Sequence, residues 1–221
     1  SSSGPASTDI ATNGDDVVLM DFNMVSASEV TLKKFQIFLS TNDTATANDD
    51  GGLLSGSSSG DANYTDIKII NKSTGAVLMG PIDSTSLYAT TDSCGSQTST
   101  SSTAVASTTD DDGCFIFTDE FNMSNGESLD LQLVADLRNN TGSDFTDDTI
   151  TATLVISSNF PELKDVNNKT VTNSSSVIPT SNITGKTMTV ETPTLTVSLA
   201  STPVTDSFVK GTQNVCFAGF S

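Results

Sequence analysis

The chain has 221 residues, of which 67 are Ser or Thr, and its 27 acidic against 9 basic side chains give a net charge of −18. A chain this acidic repels phosphate groups, which argues against nucleic acid and anionic membrane surfaces as partners. It contains no His, which removes Ser-His-Asp and Cys-His catalysis together with the usual zinc sites. No apolar run approaches the roughly 18 residues of a membrane span, so we expect no membrane insertion.

Strand patterns dominate the N-terminal part of the chain. Apolar and polar residues alternate through 17–25, which predicts a strand. Its inward-facing row is Val18, Met20, Phe22 and Met24. Within 30–39 the alternation slips by one residue at Lys33-Lys34, and one extra residue in a strand is what a β-bulge supplies. We therefore expect a strand over 30–39 with a bulge at this pair.

Shorter strand patterns and two long polar stretches follow. The short strands are predicted at 66–71, 76–79, 87–90, 115–118, 186–190 and 194–199. Residues 71–75 form the turn between the first two of these strands, with Gly75 able to adopt a positive φ. The polar stretches 41–63 and 91–113 have few apolar anchors, so we expect them to be long surface insertions.

The clearest alternation lies in 128–138, where apolar side chains share one face and polar side chains the other. The inward residues are Leu129, Leu131, Leu133, Ala135 and Leu137. Residues 149–156 repeat the pattern, with a row of threonines facing outward. Many strands separated by polar turns, with almost no helix signal, predict an all-β fold. We expect an antiparallel immunoglobulin-like β-sandwich with long polar loop insertions.

Two of the three cysteines bracket the second polar insertion. A disulfide between Cys94 and Cys114 would close a loop of about 20 residues, which is worth on the order of 3 kcal/mol. We expect this bridge in an oxidising compartment, and two free thiols in a reducing one. Cys216 occupies an apolar position of the strand pattern and is expected to be a buried thiol.

The C-terminal segment resembles the N-terminal segment at an offset of 198 residues. The offset aligns Pro203 with Pro5 and Val215 with Val17, and self-similarity at a fixed spacing is typical of tandem arrays. We therefore divide the chain into a β-sandwich, 1–192, and a segment, 193–221, that holds the opening strands of a following repeat or subunit. The residues expected to be buried against the next copy are Leu195, Val197, Leu199, Phe208, Val215, Phe217 and Phe220.

The same segment carries a family resemblance. Residues 192–199, Thr-Pro-Thr-Leu-Thr-Val-Ser-Leu, followed by Ser-Thr-Pro at 201–203, resemble the start of repeats in large surface-layer and stalk proteins of bacteria and archaea. Residues 128–137 and 148–157 are similar to the paired late strands of those immunoglobulin-like repeats. The resemblance implies a secreted, tandemly repeated structural protein. The long loop insertions depart from it and favour a specialised filament subunit instead.

Calcium is the one metal that the composition suggests. Hard cations take six to eight oxygen ligands, which loops dense in Asp and Asn can supply. The candidate ligands are Asn48, Asp49, Asp50, Asp110, Asp111, Asp112, Asp144, Asp147 and Asp148. None of these loops has the EF-hand spacing, so each is either a calcium ligand set or a solvated turn.

Eight Asn-x-Ser/Thr sequences are candidates for N-linked glycans, which add bulk and solubility to exposed loops. They begin at Asn42, Asn63, Asn71, Asn122, Asn139, Asn168, Asn173 and Asn182. A plain polar loop is the alternative at each position.

Taken together, these patterns predict an extracellular structural protein that forms a surface layer, sheath or filament through strand pairing and lateral contacts with copies of itself. One alternative is a calcium-dependent adhesin or glycan-binding module, and another is a phage or virus decoration protein. We expect no catalytic residues, because the chain lacks Trp and offers no aromatic-lined cleft that could raise the pKa of one of two paired carboxylates.

Overall fold

The computed structural model describes residues 9–11, 13–42, 64–83, 88–89, 103–106, 113–138, 148–157, 161–191, 195–198 and 210. Their strands are β1 (Asp9–Ala11), β2 (Val17–Val25), β3 (Val30–Asn42), β4 (Tyr64–Asn71), β5 (Val77–Ile82), β6 (Tyr88–Ala89), β7 (Thr103–Ala106), β8 (Gly113–Phe117), β9 (Phe121–Met123), β10 (Ser128–Leu137), β11 (Thr149–Leu154), β12 (Glu162–Asp165), β13 (Thr170–Val171) and β14 (Ile183–Glu191). One helical turn, α1 (Asn173–Ser176), precedes β14.

The strands form two sheets. The smaller sheet has the order β2-β10-β4-β5, and all of its neighbours are antiparallel. The larger sheet has the order β1-β14-β11-β3-β8-β7-β6, with β9 and β12 pairing with the first half of β3 and β13 pairing with β12. The predicted all-β sandwich is confirmed, whereas its immunoglobulin-like connectivity stays a prediction.

One apolar core joins the two sheets. Phe22 of β2 and Phe35 of β3 stack across the interface with ring centroids 5.7 Å apart. Leu133 of β10 and Ile150 of β11 are also buried in this core. Burying a large aliphatic or aromatic side chain contributes roughly 1.5–3 kcal/mol, so this layer is the main source of stability.

The sequence predicted several local features correctly. Opposite β12, Lys34 pairs with Glu162 and Leu32 with Leu163, which leaves Lys33 as the extra residue of the predicted bulge. The turn after β4 is closed by a hydrogen bond from the Gly75 N–H to the Asn71 carbonyl at 2.8 Å, and Gly75 has φ +71°.

Other predictions need correction. The sandwich is not wholly antiparallel, because β1 runs parallel to β14 and β6 runs parallel to β7. The inward row of β2 is also incomplete. Val18 and Met24 are only half-buried, whereas Leu19 is buried as fully as Met20. The pairing of β2 with β10 shifts between Val18 and Met20, so Leu19 is an extra residue at which the alternation changes face. Residues 195–198 belong to no described strand.

Candidate assembly surface

An apolar cavity of about 430 Å³ opens at one pole of the sandwich. At this pole β2 and β11 end while β3 and β14 begin, and the two sheets separate. Six of the lining side chains are Phe22, Phe35, Leu154, Ile156, Leu163 and Ile183. A volume of this size lies within the range of about 300–1,000 Å³ that is usual for binding pockets.

The rim of the cavity exposes apolar side chains. Val25, at the end of β2, is 68% exposed, and Ile178, in the segment between α1 and β14, is 91% exposed. Both residues line the cavity. Exposed apolar patches with a polar surround are typical of interaction sites, and here Ser26, Ser28 and Asp165 supply polar groups at the same opening.

Hydrogen bonds hold the walls of this opening in place. The Ser26 N–H donates to the Glu127 carbonyl at 2.9 Å, and the Gly126 N–H donates to the Ser26 carbonyl at 2.8 Å. On the other wall, the buried Asn173 Nδ2 donates to the carbonyls of Ser157 and Pro161 at 3.0 and 2.6 Å. Hydrogen bonds therefore fix the chain segments on both sides of the cavity.

Strand β2 forms an edge of the smaller sheet beside the cavity. Among the described strands only β10 pairs with β2, so the outer side of its backbone has no described strand next to it. Such an edge is a template for a strand from another chain. On the larger sheet, β1 pairs with the end of β14 through three residues, at 189–191.

The two sheets approach closely further along β2. A Cβ atom at Gly185 of β14 would lie 3.2 Å from Met20 Cγ and 3.2 Å from the Ala152 carbonyl oxygen. Gly185 therefore lets Met20 pack directly on β14. The two sheets are therefore in direct contact at this level of β2, whereas the cavity lies toward Val25.

The predicted assembly residues lie partly inside the described ranges. Leu195 and Val197 are 88% and 62% exposed, and their burial against another copy stays a prediction. The other five predicted residues lie outside the described residues: Leu199, Phe208, Val215, Phe217 and Phe220.

Of the nine candidate calcium ligands, only Asp148 is described. It is buried, and its backbone carbonyl accepts a 2.7 Å hydrogen bond from the Val190 N–H. The remaining eight, Asn48, Asp49, Asp50, Asp110, Asp111, Asp112, Asp144 and Asp147, lie outside the described residues. Calcium binding at these loops stays a prediction.

A different acidic cluster lies at the pole opposite the cavity. Carboxylate oxygens of Asp16, Asp66 and Asp136 lie within 4.8 Å of one another. Lys68 Nζ is 2.8 Å from Asp16 Oδ1 and 2.6 Å from Asp66 Oδ2, while Arg138 contacts Asp136 at 3.0 Å. The cluster is thus an ion-pair network that joins the start of β2, the start of β4 and the end of β10.

This network predicts an alkaline limit on stability. The hydrogen bonds that Lys68 Nζ donates to the carboxylates of Asp16 and Asp66 raise the pKa of Lys68 above its ordinary value near 10.5. A raised folded-state pKa contributes stability that is fully present below about pH 10.5 and is lost as the pH rises toward the folded value. We expect the melting temperature of the wild-type protein to fall as the pH rises from 9 to 12. In the Lys68→Met variant the melting temperature should fall less over the same range.

Lys186→Met is the matched control, because exposed Lys186 makes no ion pair with any described residue. It should leave the alkaline slope of the wild-type protein unchanged. An equal slope in the wild type and in Lys68→Met would mean that the network does not stabilise the fold.

Cys114 is buried in β8 and is disulfide-bonded. Its partner lies outside the described residues, so pairing with Cys94 rather than Cys216 stays a prediction. Peptide mapping of the unreduced protein would distinguish the two pairings.

Four of the predicted glycosylation positions are compatible with a glycan and one is not. Asn71, Asn122, Asn168 and Asn182 lie at turns or on exposed strand surfaces. Asn173, in contrast, is 6% exposed and both of its Nδ2 hydrogen bonds are internal. A glycan on this nitrogen would break those bonds, so Asn173 is removed from the candidates.

For the remaining three predicted glycosylation positions, the exposure of the side chain is not described. Asn63 and Asn139 lie outside the described residues, and Asn42 is described only as the last residue of β3.

The sequence did not predict the cavity or the acidic cluster. The cavity walls come from five strands, β2, β3, β9, β11 and β14, and from residues 161–179, for which the sequence patterns predict no strand. The cluster takes one carboxylate each from three distant segments. Neither arrangement has a short-range signal. The acidic cluster forms only because β2 and β4 both pair with β10, and the cavity forms only between segments of the two sheets that are distant in sequence.

No protein-family model, curated protein or solved structure matches the chain. Within the described ranges, no helix is long and apolar enough to cross a membrane.

Proposed function

We propose that this protein is an extracellular structural subunit that assembles with copies of itself into a surface layer, sheath or filament. The observation that carries the proposal is the edge of β2, which pairs with no described strand except β10, beside an open apolar cavity. Strand addition at a sheet edge uses backbone hydrogen bonds for affinity and side-chain pockets for specificity. This edge and this cavity offer both elements at one place.

Two further features support an extracellular role. The disulfide at Cys114 is a bond that persists mainly in oxidising compartments. The net charge of −18 keeps the remaining surface hydrated and opposes non-specific association. Under such repulsion, assembly requires a localised apolar contact such as the cavity rim.

The test compares the two edges of the smaller sheet. Sedimentation and negative-stain microscopy of the purified chain over a range of concentrations should show assemblies larger than one copy. Val25→Asp should weaken assembly at least tenfold, because it places a charge at the rim beside the β2 edge.

Val77→Asp is the matched control. Val77 is 51% exposed and lies on β5, at the opposite edge of the same sheet. The Val77→Asp substitution therefore adds the same charge away from the cavity. It should assemble as the wild type does. A wild-type chain that stays monomeric at all concentrations would contradict the proposed function, as would equal losses in the two variants.

A further inference from the structure

We propose that the cavity between the two sheets binds one alkylammonium ion, an unbranched hydrocarbon chain that ends in a positively charged amino group. The hydrocarbon chain lies between the sheets, and the amino group lies at the opening beside Asp165. This proposal goes beyond the proposed function, because it concerns a single copy of the protein. Assembly uses the rim and the edge of β2, whereas the ligand occupies the interior of the cavity.

The interior of the cavity suits a hydrocarbon chain. Both sheets contribute apolar side chains to it, among them Phe22 of β2, Leu32 of β3 and Ile183 of β14. A cavity with few polar groups holds water poorly, since each buried water needs roughly two to four polar partners. The volume of about 430 Å³ corresponds to roughly 14 non-hydrogen atoms at about 30 Å³ each. A chain of about 13 carbon atoms with its nitrogen therefore fills this space.

The carboxylate of Asp165 is held in place by its own turn. Its Oδ1 accepts hydrogen bonds from the backbone N–H groups of Asn167 and Lys169, both at 2.9 Å. The Asp165 N–H also donates to the Lys169 carbonyl at 2.9 Å. These bonds fix the position of the carboxylate before a ligand arrives, which lowers the cost of ordering it on binding.

The charge at the opening selects a cationic head group. Asp165 is half-buried, and it is the one charged residue among those that line the cavity, all of which are described. It forms no ion pair with any described residue. An ammonium group would supply this opposite charge together with charge-assisted hydrogen bonds. A carboxylate or phosphate head group would be repelled by Asp165 and by the net charge of −18.

Isothermal titration calorimetry with primary alkylamines of increasing length measures the fit to the cavity. The full chain is titrated at concentrations where sedimentation shows single copies, so that the outcome does not depend on assembly. Each added methylene group should tighten binding about fourfold until the chain has about 13 carbon atoms, and longer chains should bind no more tightly. One amine should bind per chain. Adsorption on the acidic surface would instead bind several amines and would show no limit in chain length.

Ligands of equal chain length test the head group. Decylamine, which is positively charged at pH 7, should bind at least tenfold more tightly than decanoate. Asp165→Asn should weaken the binding of decylamine at least about fivefold and should leave the binding of uncharged 1-decanol unchanged. Because asparagine keeps a side-chain oxygen for the two backbone N–H groups, the turn stays intact.

Glu191→Gln is the matched control. It also removes one negative charge, but it lies at the end of β14, eight residues beyond Ile183, and should bind decylamine as the wild type does. Equal losses in Asp165→Asn and Glu191→Gln would overturn the inference, as would equal affinities for decylamine and decanoate. Binding of several amines per chain, or of none, would overturn it too. Assembly is measured separately, so a failure of this inference and a failure of the proposed function are distinguishable.

Discussion

Replacing Phe35 with Ala should lower the free energy of unfolding by about 3–5 kcal/mol. Phe35 is 1% exposed and stacks on Phe22 between the two sheets, with an interplanar angle of 18°. Truncation removes the buried ring and leaves an enlarged cavity, and it also removes the aromatic contact, worth about 0.5–1.5 kcal/mol. Urea denaturation should show a lower midpoint with an unchanged slope.

Phe38 provides the control on the same strand. It lies three residues further along β3 and is only half-buried, because it faces away from the core. Phe38→Ala should cost about 1–2 kcal/mol, less than the core substitution. Equal losses at the two positions would mean that the stacked pair does not hold the sheets together.

Replacing Gly80 with Ala should cost at least about 2 kcal/mol, through both backbone strain and a steric clash. Gly80 has φ +93°, and a Cβ atom there would lie 2.7 Å from the Ile67 carbonyl oxygen and 3.1 Å from Lys68 Cα. Both obstacles are backbone atoms of β4, which cannot rotate away. The residue belongs to a bulge, because β5 uses three residues where β4 uses two.

The Gly75→Ala variant separates the cost of backbone strain from the cost of the steric clash. Gly75 has φ +71°, but a Cβ atom there would meet nothing within 4 Å. Its substitution should therefore show the conformational cost alone, about 1 kcal/mol. Thermal melts of both variants would measure the difference. If both substitutions cost the same, the close approach of β4 at Gly80 has no energetic consequence.

The strands with regular alternation were predictable from the sequence. In β10 the predicted inward residues Leu131, Leu133, Ala135 and Leu137 are all buried, because a period of two must place one face toward a core. The slip at Lys33-Lys34 was visible for the same reason. Short strands such as β12 and β13 were not predictable, since four and two residues are too few to show a period.

For the candidate assembly surface, too, one part could be predicted from the sequence and another could not. The alternating apolar residues Leu195, Val197 and Leu199 were recognisable because the pattern is local, and their role in assembly stays a prediction. The cavity beside β2 was not recognisable, because its walls come from segments separated by more than a hundred residues. The acidic network around Lys68 was hidden for the same reason.

The sequence by itself therefore determined that this chain is an acidic all-β protein with a bulge in strand β3. These properties depend on composition and on patterns within about ten residues. Only the tertiary structure decided that β2 lies at an edge among the described strands and that the sheets separate at the Val25 pole. Those features arise from which strands pair and how two twisted sheets meet, and such long-range choices leave no local trace.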